Sequence, residues 1–132
     1  MTEEPVPRVL ADLRALAART EAPGGAAWRL AESGRQLDAN LVHLPAGRTV
    51  AAHAEPDLDV LLLVVSGDGT LGTDAGPQPL TEGTTIWLPH GSTRSLEAGE
   101  EGLYYFTVHR RRPGMSIGAT PSARPENRPG AA

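Results

Sequence analysis

Two side chains that often bind divalent metals, His53 and Glu55, lie two residues apart in a stretch of small residues. Residues two apart on a strand point to the same face, so an extended backbone would present both groups together. A metal ion needs three or four such ligands converging from adjacent strands. Arg94 opposes this, because a guanidinium stays protonated, carries only donors and repels a cation. We predict a pocket that holds a small polar or anionic ligand, with Arg94 and Glu55 paired where a metal would otherwise lie.

Two further residues would complete a metal site if one exists. Asp59 and His90 carry suitable ligand groups, and with His53 and Glu55 they form the candidate set for a divalent metal. His90 follows Pro89 in a predicted turn, where a histidine is more often a solvated surface residue. The sequence therefore favours no cofactor.

Two more residues are candidates for the wall of the pocket. His43 alternates with apolar residues, so it either lines the pocket or is satisfied by a backbone carbonyl. Trp87 offers a stacking surface, although an aromatic side chain in a strand usually belongs to a core or an interface.

One basic run, residues 109–112 (His-Arg-Arg-Arg), stands out in a chain whose net charge is -4. Paired guanidinium groups suit a phosphate or a carboxylate. The preferred interpretation is a solvated strand end that pairs with nearby acids, namely Glu97, Glu100 and Glu101.

Composition limits the function further. The chain has 132 residues and no cysteine, which excludes disulfide scaffolds, thiolate zinc sites and cysteine nucleophiles. A net charge of -4 without a basic face predicts no nucleic acid or membrane partner. The amino terminus lacks a basic and then apolar leader, so we expect a cytoplasmic protein. No serine lies in the elbow motif of hydrolases, and catalysis is uncertain, with a non-enzyme favoured.

The spacing of apolar residues predicts one helix and a series of strands. Residues 9–19 show helical periodicity, and a glycine- and proline-containing link follows at residues 21–26. Short strands are predicted at residues 37–44, 60–65, 70–73, 84–88, 94–97 and 103–110, with a turn at residues 66–69. We expect three parts: a helix and linker at 1–26, an all-β sandwich or closed barrel at 27–112, and a disordered Pro/Gly-rich tail at 113–132.

Two stretches resemble the paired motifs of the cupin superfamily. The first runs from Gly47 through His53 to Gly67, and the second from Gly83 through Pro89 to Arg94. The resemblance implies a small double-stranded β-helix, or jelly-roll, barrel that often forms homodimers.

The resemblance also locates the metal ligands of the superfamily. His53 matches the first histidine, whereas Glu55, Val60 and Arg94 occupy the positions of the second histidine, the glutamate and the last histidine. A second register places Asp59 in the glutamate role. Three hypotheses follow: a barrel that binds a small ligand without metal, a metal-dependent oxygenase or isomerase with an unusual ligand set, and a dimeric interaction module.

Overall fold

The computed structural model describes residues 5–19 and 22–112. It contains one short helix, α1 (Leu13–Ala17), followed by seven strands. The strands are β1 (Gly25–Arg29), β2 (Leu37–Leu44), β3 (Thr49–Ala54), β4 (Val60–Thr73), β5 (Gly76–Thr81), β6 (Thr85–Leu88) and β7 (Thr93–Arg110). Within these ranges, no helix has the length and apolar character needed to cross a bilayer.

All seven strands belong to one antiparallel sheet that wraps into a jelly-roll barrel, as the sequence predicts. The main order is β1-β2-β7-β4-β5, while β3 also pairs with β7 and β6 with β4. The two long strands, β4 and β7, pair with each other along one edge. Along its other edge, each pairs with two shorter strands in succession. The first part of β7 pairs with β3 and its second part with β2, and β4 pairs first with β6 and then with β5. The two long strands therefore form the frame to which every other strand except β1 is attached.

Glycines allow these two strands to run past each other without interruption. The β4–β7 register shifts between Val64 and Ser66 and again between Gly67 and Gly69. A Cβ atom on Gly67, whose φ is 84°, would lie 2.0 Å from the backbone oxygen of Gly102. The predicted turn at residues 66–69 is therefore wrong. The glycines form β-bulges that bend a continuous strand, because the two backbones approach too closely for any side chain.

The alternation of side chains along the strands produces two separate apolar clusters. The inner cluster fills the barrel and includes Leu62 and Val64 of β4 with Leu103 and Tyr105 of β7. The outer cluster joins Leu41 and Tyr104 with Ala17 of α1, which covers that face of the sheet. Neighbouring residues of β7 thus serve opposite faces, as the period of two requires.

The ends of the other elements agree only in part with the predicted ranges. Strand β2 coincides with its predicted range. Helix α1 starts later than predicted, because the Asp12 carboxylate accepts the N–H groups of Arg14 and Ala15 and so caps the helix there. Strand β5 was not predicted, since it contains Pro77 and Pro79; it lies at the edge of the sheet, where missing donors are tolerated. The sheet begins at Gly25, within the predicted linker. The predicted tail at residues 113–132 lies outside the described residues.

Candidate functional site

Arg94 enters the barrel. It is the second residue of β7, and its Cα lies opposite His53 of β3 on one side and Thr73 of β4 on the other. Only 2% of the residue is exposed. Its guanidinium donates to the backbone oxygen of Ser92 at 3.2 Å and contacts the Ser92 hydroxyl at 3.4 Å. Burial lowers the pKa of Arg94 while the charge of Glu55 raises it, and the group stays cationic at neutral pH.

A cavity of about 290 Å³ lies beside Arg94 at this end of the barrel. Its apolar wall comes from the core residues Leu71, Ile86 and Leu88. The remaining lining residues belong to the β4–β5 hairpin, to β6 and to the segment that leads into β7: Thr73, Asp74, Ala75, Gln78, Trp87, Pro89, Ser92, Thr93 and Arg94. The cavity therefore combines one buried cation, several neutral polar groups, the Asp74 carboxylate at the hairpin turn and an apolar wall.

Glu55 lies just beyond the end of β3, where an ion pair with Arg112 holds its carboxylate. Its second oxygen accepts the backbone N–H of Asp57 at 2.9 Å. Burial by itself would raise the pKa of Glu55. The hydrogen bonds from Arg112 and Asp57, together with the charges of Arg112 and Arg94, outweigh burial and hold that pKa below its ordinary value. Glu55 is thus ionised and directly paired with Arg112, and the charge of Arg94 also lowers its pKa.

His53 shares a row of the sheet with Arg94 but is not among the residues that line the cavity. The side chain is partly buried, and its Nδ1 atom lies 3.0 Å from the backbone oxygen of Ala51. Directly opposed residues of an antiparallel pair point to the same face, so His53 faces the barrel interior beside Arg94. Of the five residues predicted to form the pocket, Arg94 and Trp87 line the cavity, and His53 lies next to it.

Comparison with known proteins identifies the fold. No protein-family model and no curated protein match the chain, whereas 267 chains of solved structures do. A protein from Bacillus halodurans matches with a TM-score of 0.65 and 17% identity, over 90% of this chain and 92% of that one. The cupin domain of Schizosaccharomyces pombe Cnp3 gives 0.58 and 16% identity, over 64% of this chain and 59% of the domain. The protein has the cupin fold.

A third cupin of solved structure is described as a sugar phosphate isomerase, from Silicibacter pomeroyi. It matches with a TM-score of 0.53 and 23% identity, over 60% of this chain and 53% of the isomerase chain. This chain thus spans little more than half of the isomerase and 59% of the Cnp3 domain. At these identities the likeness establishes the cupin fold and leaves the activity to the residues of the site.

The residues present do not fit the metal site that many cupins carry. Among residues 5–19 and 22–112, no three His, Asp or Glu side chains come close enough together to hold a metal ion. Arg94 projects into the barrel from the position of the last histidine, and its charge opposes a cation there. Glu55, at the position of the second histidine, is already paired with Arg112.

Asp59 and His90, the alternative ligands, bind each other. Asp59 Oδ1 lies 2.7 Å from His90 Nδ1 and accepts the His90 backbone N–H at 2.9 Å. The backbone bond from His90 is the main reason why the pKa of Asp59 is lowered, and its ring and the Trp87 indole add to the effect. Both side chains are exposed. The pair joins the β3–β4 and β6–β7 loops on the surface.

His43 lies on the opposite face of the sheet, so its placement in the pocket is wrong. Its ring stacks on Tyr104 with centroids 4.3 Å apart, and Nδ1 lies 3.2 Å from the backbone oxygen of Pro23. His43 shares the face of Leu41, which belongs to the outer cluster, because residues two apart on β2 point the same way. The alternative in the sequence analysis, a histidine bound to a backbone carbonyl, describes it correctly.

The expected acidic partners of the basic run are also wrong. Within the described residues no ion pair joins Arg110, Arg111 or Arg112 to Glu97, Glu100 or Glu101; Arg112 pairs with Glu55 instead. Glu97 pairs in register with Thr49 and Thr70, far along β7 from the basic run. These glutamates are close to the basic run in the sequence, but in the fold the run lies beside the loop that follows β3.

Sequence analysis missed Thr73, Gln78 and Ser92, which supply neutral polar groups to the cavity. Thr73 and Gln78 belong to the β4–β5 hairpin, which the two prolines of β5 concealed. The Asp-Ala-Gly sequence at residues 74–76, where Gly76 has a φ of 108°, was the available signal for a tight turn.

Proposed function

We propose that this protein binds a small anionic organic molecule in the cavity of its cupin barrel, and that binding does not require a metal. The observation that carries the proposal is the position of Arg94, a buried arginine that is one of the residues lining the cavity. A guanidinium presents several donors in a planar fork that suits a carboxylate or a phosphate.

The size and walls of the cavity restrict the ligand. Its volume of about 290 Å³ corresponds to roughly ten water molecules, the size of a small organic acid or a sugar derivative. Leu71, Ile86 and Leu88 provide a surface for carbon atoms. Gln78 provides an amide that can donate and accept hydrogen bonds, whereas the Thr73 and Ser92 hydroxyls already donate to the backbone oxygens of Gly76 and Pro89 and can only accept from a ligand. The preferred ligand therefore has one anionic group and a short body that is partly apolar and partly hydroxylated.

The same lining argues for binding rather than catalysis. A general acid or base must lie within hydrogen-bonding distance of the reacting atoms. Asp74 is the one side chain of this kind among the described residues that line the cavity, and it is exposed in the β4–β5 turn. The metal-dependent enzyme, with His53, Glu55 and Asp59 or His90 as ligands, is the competing hypothesis that the experiment below addresses.

A pair of exposed apolar side chains supports the alternative that the protein forms a homodimer. Trp87 and Leu61 lie directly opposite each other in β6 and β4, with 65% and 50% of their surfaces exposed. Such neighbouring apolar side chains favour a homodimer that covers them. A cytoplasmic location also belongs to this proposal, on the basis of the cysteine-free composition.

Thermal unfolding in the presence of small carboxylates and sugar phosphates tests the binding proposal. A ligand at 100 times its Kd stabilises the folded state by about 2.7 kcal/mol, which for a domain of this size raises Tm by about 10 °C or more. Arg94→Met should abolish the shift, and Arg94→Lys, which keeps the charge but loses the fork, should reduce it. Arg48→Met, at an exposed turn, is the matched control.

Two additional measurements keep the result unambiguous. If Arg94→Met folds poorly, Ile86→Phe should fill the cavity and remove the ligand shift while Arg94 stays in place. Elemental mass spectrometry of untagged protein, with melting before and after a chelator, addresses the enzyme hypothesis. Stoichiometric metal whose removal lowers Tm would overturn the metal-free proposal.

A further inference from the structure

A second pocket, rich in arginine, lies where the end of β7 meets the start of β2. It has a volume of about 710 Å³ and is lined by Gln36, Leu37 and the four arginines Arg35, Arg110, Arg111 and Arg112. We call these six residues the arginine pocket. The strands hold its sides in place, because Leu37 pairs with Arg110 and the Arg111 backbone N–H donates to the Gln36 oxygen at 2.8 Å. The backbone of the pocket is therefore ordered by the sheet itself.

The charges of the arginine pocket are only half balanced. Arg35 pairs with Asp38 at 3.1 Å, and Arg112 pairs with Glu55. In the described part of the chain, the side chains of Arg110 and Arg111 contact backbone oxygens only, those of Asp57 at 3.4 Å and Arg35 at 3.5 Å. Four guanidinium charges against two paired carboxylates leave two positive charges, in a protein whose net charge is -4.

We propose that the arginine pocket binds the phosphate group of a small phosphomonoester. A phosphomonoester carries about -1.5 to -2 charges near neutral pH, which matches the two unbalanced positive charges. Its oxygens accept the N–H groups of guanidinium forks, and Arg110 and Arg111 both line the pocket. Leu37, half exposed beside them, provides an apolar contact for the organic part. The net negative charge of the whole protein disfavours an extended polyanion such as nucleic acid.

This site is separate from the barrel cavity. The residues that line the two pockets do not overlap, and Arg94 is not part of the arginine pocket. Arg112 is the one link, since it lines the arginine pocket and pairs with Glu55 near the barrel end. Variants at Arg111 therefore test the arginine pocket without disturbing that ion pair.

Isothermal titration calorimetry with phenyl phosphate, phenyl sulfate and inorganic phosphate tests the proposal at low ionic strength. In the Ile86→Phe variant, whose barrel cavity is filled, phenyl phosphate should bind with a stoichiometry of one and more tightly than phenyl sulfate, which has the same shape and one charge less. It should also bind more tightly than inorganic phosphate, because only the ester can contact Leu37. Equal affinity for phenyl phosphate and inorganic phosphate would assign the site to the free ion and overturn the phosphomonoester.

Matched variants locate the binding. Arg111→Gln should weaken phenyl phosphate about tenfold, the lower end of the effect of losing a charge-assisted hydrogen bond. Arg48→Gln removes the same charge at the turn that follows β2 and should leave the affinity unchanged. An equal loss in Arg48→Gln would indicate diffuse attraction, and a complete loss of binding in Ile86→Phe would place the ligand in the barrel. Either result, or no preference for phosphate over sulfate, would overturn the proposal.

Discussion

Strand β7 carries arginines at both ends, and the two groups lie in opposite environments. Arg94 near the start is 2% exposed and is held among core residues, whereas Arg110 at the end, and Arg111 and Arg112 just beyond it, are exposed. The side chains are chemically identical, so the difference comes from the path of the strand. A buried guanidinium must be compensated by groups fixed in the structure, while an exposed one is largely compensated by water. Near the start of β7 the arginine lines a cavity in the barrel, and at its end the arginines line the more open arginine pocket.

The comparison also separates structural from electrostatic roles. Removing a buried charge leaves a void and unsatisfied polar groups, so its cost appears mainly in stability. Removing an exposed charge changes the local potential and leaves the packing intact, so its effect appears mainly in ligand affinity and depends on salt.

The first test concerns the close approach of β4 and β7 at Gly67 and Gly102, which lies between the two ends of β7. We expect Gly67→Ala to lower the free energy of unfolding by about 4 kcal/mol or more, because its Cβ would lie 2.0 Å from the Gly102 oxygen and its φ is 84°. Urea denaturation measures this change. It should also disturb the barrel cavity, since β4 and β7 place Leu71, Thr73 and Arg94 in its wall.

Gly83→Ala is the matched control for Gly67→Ala. Gly83 has a similar φ of 90°, but nothing lies within 4 Å of the added Cβ. Its cost should be limited to the backbone strain of about 1 kcal/mol. Equal losses in the two variants would show that the close approach of β4 and β7 contributes little to the bend.

The next test compares the two arginine groups directly. Arg94→Ala should lower the free energy of unfolding by about 2–4 kcal/mol, because it empties a buried volume beside Leu71 and the apolar wall. Arg111→Ala should change it by less than about 0.5 kcal/mol. Chemical denaturation at low and high salt measures both. Similar losses of stability in the two variants would mean that the arginine of the barrel cavity and those of the arginine pocket do not differ in structural role.

The smallest effect concerns the Glu55–Arg112 pair, which links the two regions. Because the folded-state pKa of Glu55 is below its ordinary value of 4.5, its contribution is complete above that value and is lost as pH falls through the folded-state pKa. A Glu55→Gln and Arg112→Gln double-mutant cycle at pH 7 should give a coupling below about 1 kcal/mol, since Arg112 is 56% exposed. The coupling should decrease as pH falls through the folded-state pKa of Glu55. A coupling that did not change with pH would mean that packing, and not charge, joins the residues.

Local signals predicted part of the fold and only part of the site. The bounds of β2 were correct, because Pro45 and Gly47 end an alternating run. The glycines at residues 67 and 69 suggested a turn, because glycine permits backbone angles that turns require. The sequence does not show that the backbone of β7 lies too close to both positions for any side chain. His43 was placed in the pocket as one of two alternatives, because alternation predicts which residues share a face but not which face is inside.

The sequence by itself determined the all-β class, the cupin resemblance and the presence of an arginine where a metal ligand would lie, because these depend on residue type and spacing. Only the tertiary structure decided that Arg94 enters the barrel, that Glu55 pairs with Arg112 and that Asp59 binds His90. The Glu55–Arg112 and Asp59–His90 contacts join residues 57 and 31 positions apart, and the burial of Arg94 depends on which face of a strand is enclosed. Such information arises only when the long strands bend and close on each other.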